Sequence, residues 1–367
     1  MTLRVLHVIP SFAGGGAERQ LTLLCGALAD AGVEVHIAHM HDGPNLAAAL
    51  ACGARLHRIE TSGNHDPRAL TRLLHIIRHV RPSLVQTWLL HADVFGGLAA
   101  KLSRVPWVLS ERSSEAMYAS GAKFALRRRL GRTATAVAAN SEGGLAYWRQ
   151  VGFRGHGRVI GNIVTPPSEA GSIAPEFAHS FGTEQPLILT VGRLSAEKNL
   201  GCLLGALERV FARHPNTVAA FLGEGPERGA LERQIAASSE LRGRVRLPGH
   251  VAHVPGWLRA AAMLVSLSSY EGMPNAVVEA MTHGCPVVVS DIPAHREIVD
   301  ADCGVLVQPE VNTVSEAILA VLADPESADR RAERARQKMT RWSPEAVAAA
   351  YLELYRHLVS GEHACAF

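Results

Sequence analysis

The sequence predicts an α/β protein made of two doubly wound parallel sheets, one following the other along the chain. Three observations predict it. The chain has 367 residues, more than the roughly 250–300 residues at which a single core stops growing. Short β-branched runs alternate with helix-period segments in both halves, the rhythm of βαβ units. Between Thr165 and Gln185 that rhythm stops in an aperiodic stretch, beginning TPPSEAGSIAPEF, rich in Pro, Ser and Gly. This stretch reads as an interdomain linker.

In the first half the expected strands are Val5–Ile9, Val33–His39, Leu56–Ile59, Leu84–Thr87, Trp107–Ser110 and Ala136–Ala139, with helices such as Ala17–Ala31 and Pro67–Val80 between them. In the second half they are Leu187–Val191, Val218–Leu222, Val245–Leu247, Met263–Leu267, Val287–Ser290 and Gly304–Val307. None alternates cleanly with polar residues, as fits strands covered on both faces of a parallel sheet. Pro344–Val359 has helical periodicity, with Ser343 placed to cap it. Two such domains would leave a cleft between them, a favoured place for ligands.

Composition removes several classes. With 47% hydrophobic and 19% charged residues the chain is ordinary for a globular protein, without repeats or low-complexity tracts. Cys25, Cys52, Cys202, Cys285, Cys303 and Cys365 form no CxxC pair, so neither a disulfide framework nor a zinc site is expected, and a reducing, cytoplasmic setting is. The N-terminal apolar run, Val5 to Pro10, leads directly into a glycine turn and reads as a strand rather than a leader. No apolar stretch reaches 18 residues, so no membrane span is expected. The net charge of +3 conceals an asymmetry. Residues 1–170 hold 19 Lys/Arg against 11 Asp/Glu (+8), the remainder 18 against 23 (−5), so the two halves are suited to different partners.

Four segments carry chemistry. Gly14-Gly15-Gly16-Ala17-Glu18-Arg19 follows the first strand and opens a helix, where glycines let backbone approach a phosphate. Arg19 stands where a dinucleotide fingerprint needs its last glycine, and the residues alone leave a plain tight turn open. Gly192-Arg193-Leu194-Ser195-Ala196-Glu197-Lys198-Asn199 ends the first strand of the second half. Its Arg193 and Lys198 can clamp a diphosphate, the one by a fork and the other as a point charge; a solvated helix-entry loop is the other reading. Gly223-Glu224-Gly225-Pro226-Glu227-Arg228 ends the next strand similarly. The most informative run is Ser268 to Met281, SSYEGMPNAVVEAM. Glu271 closes a loop, Gly272 permits close backbone approach, and Pro274 suits the first turn of a helix that carries Glu279. A helix N-terminus beside carboxylates suits a ligand that is part phosphate and part polyol.

The E-x7-E spacing of Glu271 and Glu279 resembles the retaining glycosyltransferases of family 4. GRLSAEKN and GEGPER resemble that family's other donor-side loops. The likeness extends to the GGGAER turn, Asn140-Ser141, Val159-Ile160-Gly161-Asn162 and the final helix, in the same order along the chain. It implies the GT-B architecture: an acceptor-binding Rossmann-like domain over 1–165, a linker over 166–185, a nucleotide-sugar-binding domain over 186–342, and a helix over 343–367 that crosses back to the first domain. It also implies roles. Arg193 and Lys198 would hold the diphosphate, Glu279 the ribose hydroxyls, and Glu271 would lie near the donor sugar. Gly272, Met273, Asn275 and Ala276 would cradle phosphate and sugar, with Gly192, Gly223 and Gly225 in the neighbouring loops. Gly249 and His250 would approach the base, and Gly15 and Gly16 the diphosphate from the first domain.

One departure affects the acceptor side. Many members carry a histidine after the fifth strand, where this chain has Ser110-Glu111-Arg112-Ser113. His91 and Arg112 are therefore the acceptor-side candidates. Asp300-Ala301-Asp302 has the letters of a metal-binding DxD but reads as a turn, and no metal or cofactor is expected. Residues 104–132 carry Arg104, Arg112, Lys123, Arg127, Arg128, Arg129 and Arg132 against Glu111 and Glu115, a local +5 interleaved with apolar residues. That pattern suits peripheral contact with an anionic membrane, which a lipid-linked acceptor favours over nucleic acid; a solvated helix is the other reading.

The resulting expectation is transfer, with retention, of a hexose-type sugar from a UDP-sugar to a glycan or lipid-linked acceptor, at the inner face of a membrane. A nucleotide-sugar epimerase of the same architecture and a non-catalytic nucleotide-sugar-binding protein are the alternatives.

Overall fold

In a computed structural model the described residues are 2–13, 15–63, 66–112, 121–165, 185–251 and 253–360. They divide into two compact units, Met1–Ile163 with Trp342–Phe367, and Val164–Arg341. Except for Gln185, the expected linker 166–185 lies outside the described residues, as do 113–120 of the basic segment.

The first unit alternates β1 (Arg4–Ser11), α1 (Gly16–Asp30), β2 (Glu34–His41), α2 (Leu46–Ala51), β3 (Arg55–Arg58), α3 (Arg68–Val80), β4 (Leu84–Trp88), α4 (Leu90–Leu102), β5 (Trp107–Glu111), α5 (Ala122–Gly131), β6 (Ala136–Ala139), α6 (Glu142–Gln150) and β7 (His156–Val159). Its sheet runs β3-β2-β1-β4-β5-β6-β7 with every pair parallel. The strand order reverses between β1 and β4, which makes their carboxyl ends a switch point. β1 is apolar because both its faces are covered: Val5 and Ile9 belong to one core cluster, Leu6 and Val8 to the other. The edge strand β7 has no such apolar run; its HGRV is half-exposed, which is why hydrophobic patterning does not find it.

The second unit contains β8 (Leu187–Val191), α7 (Leu200–Arg213), β9 (Val218–Leu222), α8 (Arg228–Ala237), β10 (Val245–Gly249), α9 (Val254–Ala260), β11 (Met263–Ser266), α10 (Asn275–Thr282), β12 (Val287–Ser290), α11 (Pro293–Arg296), β13 (Val305–Val307), α12 (Val311–Ala323) and α13 (Pro325–Met339). Its sheet order is β10-β9-β8-β11-β12-β13, again parallel throughout. The order reverses between β8 and β11.

The last helix, α14 (Pro344–Val359), returns to the first unit. Ser343 caps it by accepting a bond from the Ala346 amide at 3.2 Å, and Pro344 pre-sets the first turn. Tyr351, Leu354, Tyr355 and Leu358 are buried in the cluster that contains Leu21, Leu24 and Leu28 of α1. Tyr355 donates its hydroxyl to Gln86 in β4, so the helix is fixed by a buried hydrogen bond as well as by apolar packing.

Candidate functional site

The carboxyl ends of β8 and β11 flank a shallow hollow, open to solvent, whose lining includes Gly192, Arg193, Lys198, Ser266 and Ser268. It lies at the switch point of the second sheet, where open α/β sheets bind ligands. From the β8 side, residues 196–198 form one turn of 3₁₀ helix, and Asn199 takes a left-handed conformation (φ 53°) before α7 begins. That turn directs Lys198 across the hollow, where its Nζ donates to Glu271 Oε1 in an ion pair. From the β11 side, Ser268 Oγ donates to the same carboxylate oxygen at 2.8 Å. The two loops are joined through the backbone, Ser269 N to Glu197 O at 2.8 Å. Arg193 is exposed at the rim. The structure thus brings Arg193, Lys198 and Glu271 together from loops far apart in sequence.

Gly272 and Met273 are buried between Glu271 and the start of α10, Asn275 is exposed, and Ala276 is half-buried. Pro274 has no side chain able to cap the helix, and its carbonyl accepts from the Val277 and Val278 amides at 3.0 and 3.1 Å. Glu279 is one turn further on, half-buried on α10.

The glycine loops have a packing cause of their own. Gly223 has φ 131°, and a Cβ there would fall on the Gly192 carbonyl oxygen; a Cβ on Gly225 would fall on the Leu194 carbonyl. Both glycines let the β9 loop pack directly on the β8 loop, where Leu194 N bonds Glu224 O at 3.0 Å and Glu227 N bonds Leu194 O at 2.9 Å. The contact continues to the next strand, with Gly223 N on Gly249 O at 2.8 Å. Gly249 is buried at the end of β10 and His250 after it is exposed.

In the first unit, Gly15 and Gly16 open α1 as expected, with Gly15 at the N-cap in extended conformation. The buried Glu18 carboxylate lies against Gly15, within 2.5 Å of where a Cβ would stand. A carboxylate in the first turn complements the helix dipole.

The acceptor-side candidates follow adjacent strands. His91 starts α4 and is half-buried. Leu89 just before it adopts φ 68° and ψ 162°, a region nearly restricted to glycine. Arg112 is tied down: its guanidinium donates to Asn162 Oδ1 at 2.9 Å and to the Tyr351 hydroxyl at 2.6 Å and stacks 4.3 Å over Trp88. It fastens α14 to the end of β5 within the first unit. In the basic segment Arg127 is not a surface charge. It is buried, bonding Asp93 at 2.6 Å and Glu111 at 3.1 Å. The exposed charges on α5 and at its end are Lys123, Arg129 and Arg132.

Asp300 and Asp302 form a turn, with Asp302 N on Asp300 Oδ1 at 3.1 Å and the side chains paired to Lys338 and Arg334. No group of three or more metal-ligating side chains is present among the described residues.

Two family models divide the chain. One described as "Glycosyltransferase Family 4" matches residues 14–166, and one described as "Glycosyl transferases group 1" matches residues 175–338. The chain is a family 4-type glycosyltransferase by membership. The lipopolysaccharide core biosynthesis glycosyltransferase LpsE of Rhizobium meliloti is 25% identical to this member over 93% of the chain and 95% of LpsE. The alpha-D-kanosaminyltransferase of Streptomyces kanamyceticus is 30% identical over 44% of the chain, an alignment spanning 42% of that relative. The crystal structure of Anabaena HepE in complex with UDP and glucose superposes with a TM-score of 0.84 at 21% identity, covering 97% of this chain and all of HepE. That likeness shows the GT-B fold in this family member.

Ser268 is the site residue that sequence reasoning missed. Its only sequence signal is a place three residues before Glu271, at the end of a strand.

Proposed function

We propose that this chain transfers a sugar, with retention at the anomeric carbon, from a UDP-hexose or UDP-N-acetylhexosamine to a glycan or lipid-linked acceptor. The observation that carries the proposal is the Lys198–Glu271 pair at the β8/β11 switch point, beside Arg193 and the N-terminal end of α10. Lys198 and Arg193 supply positive charge where a departing diphosphate develops negative charge. The positive N-terminal end of the α10 dipole adds to that positive charge. A polyol pairs naturally with the carboxylates of Glu271 and Glu279.

In the reaction the anomeric carbon–phosphate oxygen bond breaks, a bond from the acceptor oxygen forms on the same face, and the acceptor proton passes to the leaving phosphate oxygen. Charge stabilisation by Lys198 and Arg193 takes the place that a metal ion has in other phosphate chemistry. UDP as the nucleotude is supported by HepE, whose structure holds UDP and glucose. A glycolipid acceptor is supported by LpsE, named for lipopolysaccharide core biosynthesis. No helix among the described residues is long and apolar enough to cross a membrane. Peripheral contact with an anionic inner membrane face is proposed through the exposed part of 104–132, where Lys123, Arg129 and Arg132 neighbour Leu126, 46% exposed.

The test is incubation with UDP-glucose, UDP-N-acetylglucosamine and GDP-mannose, followed by assay of released nucleotide. Slow release from one donor, accelerated by a glycan acceptor, is expected. Conversion of the donor sugar without nucleotide release indicates an epimerase, and thermal stabilisation by UDP without turnover of any donor indicates a binding protein.

A further inference from the structure

A line of hydrogen bonds runs beneath the site from a buried histidine to the Lys198–Glu271 pair. His295, on the short helix α11, has no solvent exposure. Its Nδ1 lies 2.7 Å from the Ser290 carbonyl oxygen and 3.1 Å from Ser290 Oγ. A carbonyl only accepts, so Nδ1 carries the hydrogen, and the ring is the Nδ1–H tautomer. Burial lowers the His295 pKa and keeps the ring neutral. With Nδ1–H directed at Ser290, the serine hydroxyl turns its own hydrogen to the Ser268 carbonyl at 2.5 Å. Ser268 in turn donates Oγ–H to Glu271 Oε1 at 2.8 Å, the oxygen that also meets Lys198.

Packing alone does not account for a histidine here. Its Nε2 is buried without a hydrogen-bond partner among the described residues, a cost that an apolar side chain of similar size avoids. Ser268 and Ser290 are fully buried too, so water does not compete for these bonds, and Ser268 is held through its backbone carbonyl while its hydroxyl holds Glu271. Across the line, β11 and β12 are adjacent parallel strands and Ser290 ends β12. The bonds therefore tie the ends of two strands to the loop that bears Glu271.

We infer that His295 is a positioning residue for the proposed transfer, fixing through Ser290 and Ser268 the carboxylate of Glu271 and with it the aim of Lys198. The inference rests on the donor site proposed above. His295 touches neither donor nor acceptor in this role; it acts through its Nδ1–H alone.

Three substitutions in the full chain test it: His295→Ala, His295→Asn and His295→Gln. The assay is nucleotide release from whichever of UDP-glucose, UDP-N-acetylglucosamine and GDP-mannose the wild type turns over, with melting temperature measured alongside. The amide nitrogen of Asn falls near the position of Nδ1, and that of Gln near Nε2. His295→Ala is expected to lower kcat about tenfold or more through misplacement of the catalytic cation, with donor KM changed less than about twofold. His295→Asn is expected to recover most of that loss and His295→Gln little of it. If His295→Ala does not fold, the Asn and Gln variants decide the matter between them. Wild-type kcat in His295→Ala, or rescue by Gln and not by Asn, overturns the inference while leaving the transferase proposal standing. A wild type that turns over no donor overturns both.

Discussion

Lys198 and Glu271, 73 positions apart in sequence, form an ion pair across the ends of the neighbouring strands β8 and β11. Their side chains are 23% and 18% exposed, buried enough for the charges to be felt and open enough for a ligand to reach them. A diphosphate entering the hollow competes with Glu271 for the ammonium group. Lys198→Ala removes the cation that meets the developing charge and is expected to lower donor turnover by about 10²–10³-fold, about 2.7–4 kcal/mol. Adding Glu271→Gln to Lys198→Ala should cost far less than the two single losses combined, because the residues act as one unit. Steady-state nucleotide release from the four proteins gives the comparison. Full additivity would show that the pair does not work together.

The glycine loops make a separate prediction about what glycine does at each place. Gly223→Ala puts a methyl on the Gly192 carbonyl at a left-handed φ. It should destabilise the second unit by about 1–3 kcal/mol and weaken stabilisation by UDP, since the β8 loop must shift. Gly229, inside α8, has only the tip of Arg233 nearby, at 3.6 Å. Gly229→Ala should be neutral or stabilising by up to about 1 kcal/mol. Thermal unfolding with and without UDP separates the two effects, and equal behaviour of the two variants would contradict the packing account.

The fold was legible because buried parallel strands are apolar throughout, and helices Gly16–Asp30 and Pro344–Val359 carry ordinary start signals. β7 escaped because an edge strand with a half-exposed HGRV has no apolar run to detect. The donor-side loops were legible from glycines and charges placed at strand ends. Ser268 and His295 were not: a serine hydroxyl and a buried histidine acquire meaning only when β8, β11 and β12 bring their ends together. Arg127 shows the opposite error. Counted in sequence it is one more positive charge, yet Asp93 and Glu111, 34 and 16 residues away, draw it into the core.

That difference separates two kinds of arginine in one short helix. Replacing Lys123, Arg129 and Arg132 together by Ala, all exposed, should leave stability within about 0.5 kcal/mol per site. It should also abolish the salt-sensitive part of binding to phosphatidylglycerol vesicles. Arg127→Ala leaves two carboxylates buried without their cation and should cost about 3–5 kcal/mol. Vesicle co-sedimentation at low and high salt, with chemical denaturation of each variant, reads both. Undiminished vesicle binding by the triple variant would remove the membrane proposal.

His7 predicts how the first unit responds to acid. It is fully buried in the middle of β1, and Trp88 Nε1–H donates to its Nδ1 at 3.2 Å, as suits a neutral ring. Burial, aided by the positive charge of Arg112, lowers its pKa to about 3, against about 6.5 in an unfolded chain. Below pH 6.5 the unfolded chain therefore takes up a proton that folded His7 refuses. Its contribution to stability is fully present above that pH and is lost as pH falls toward 3. The limiting slope is about 1.4 kcal/mol per pH unit for one proton. His7→Gln keeps an acceptor for Trp88 but cannot titrate. The stability difference between wild type and His7→Gln should be constant above pH 7 and should shift in favour of the variant as pH drops from 6 to 5. Other histidines also have lowered pKa values, among them the buried His36 and His39 and the half-buried His57, but they are common to both proteins and cancel in the difference. Urea unfolding at pH 7.5 and pH 5 measures it, and an equal difference at the two pH values would mean that His7 does not control the acid response.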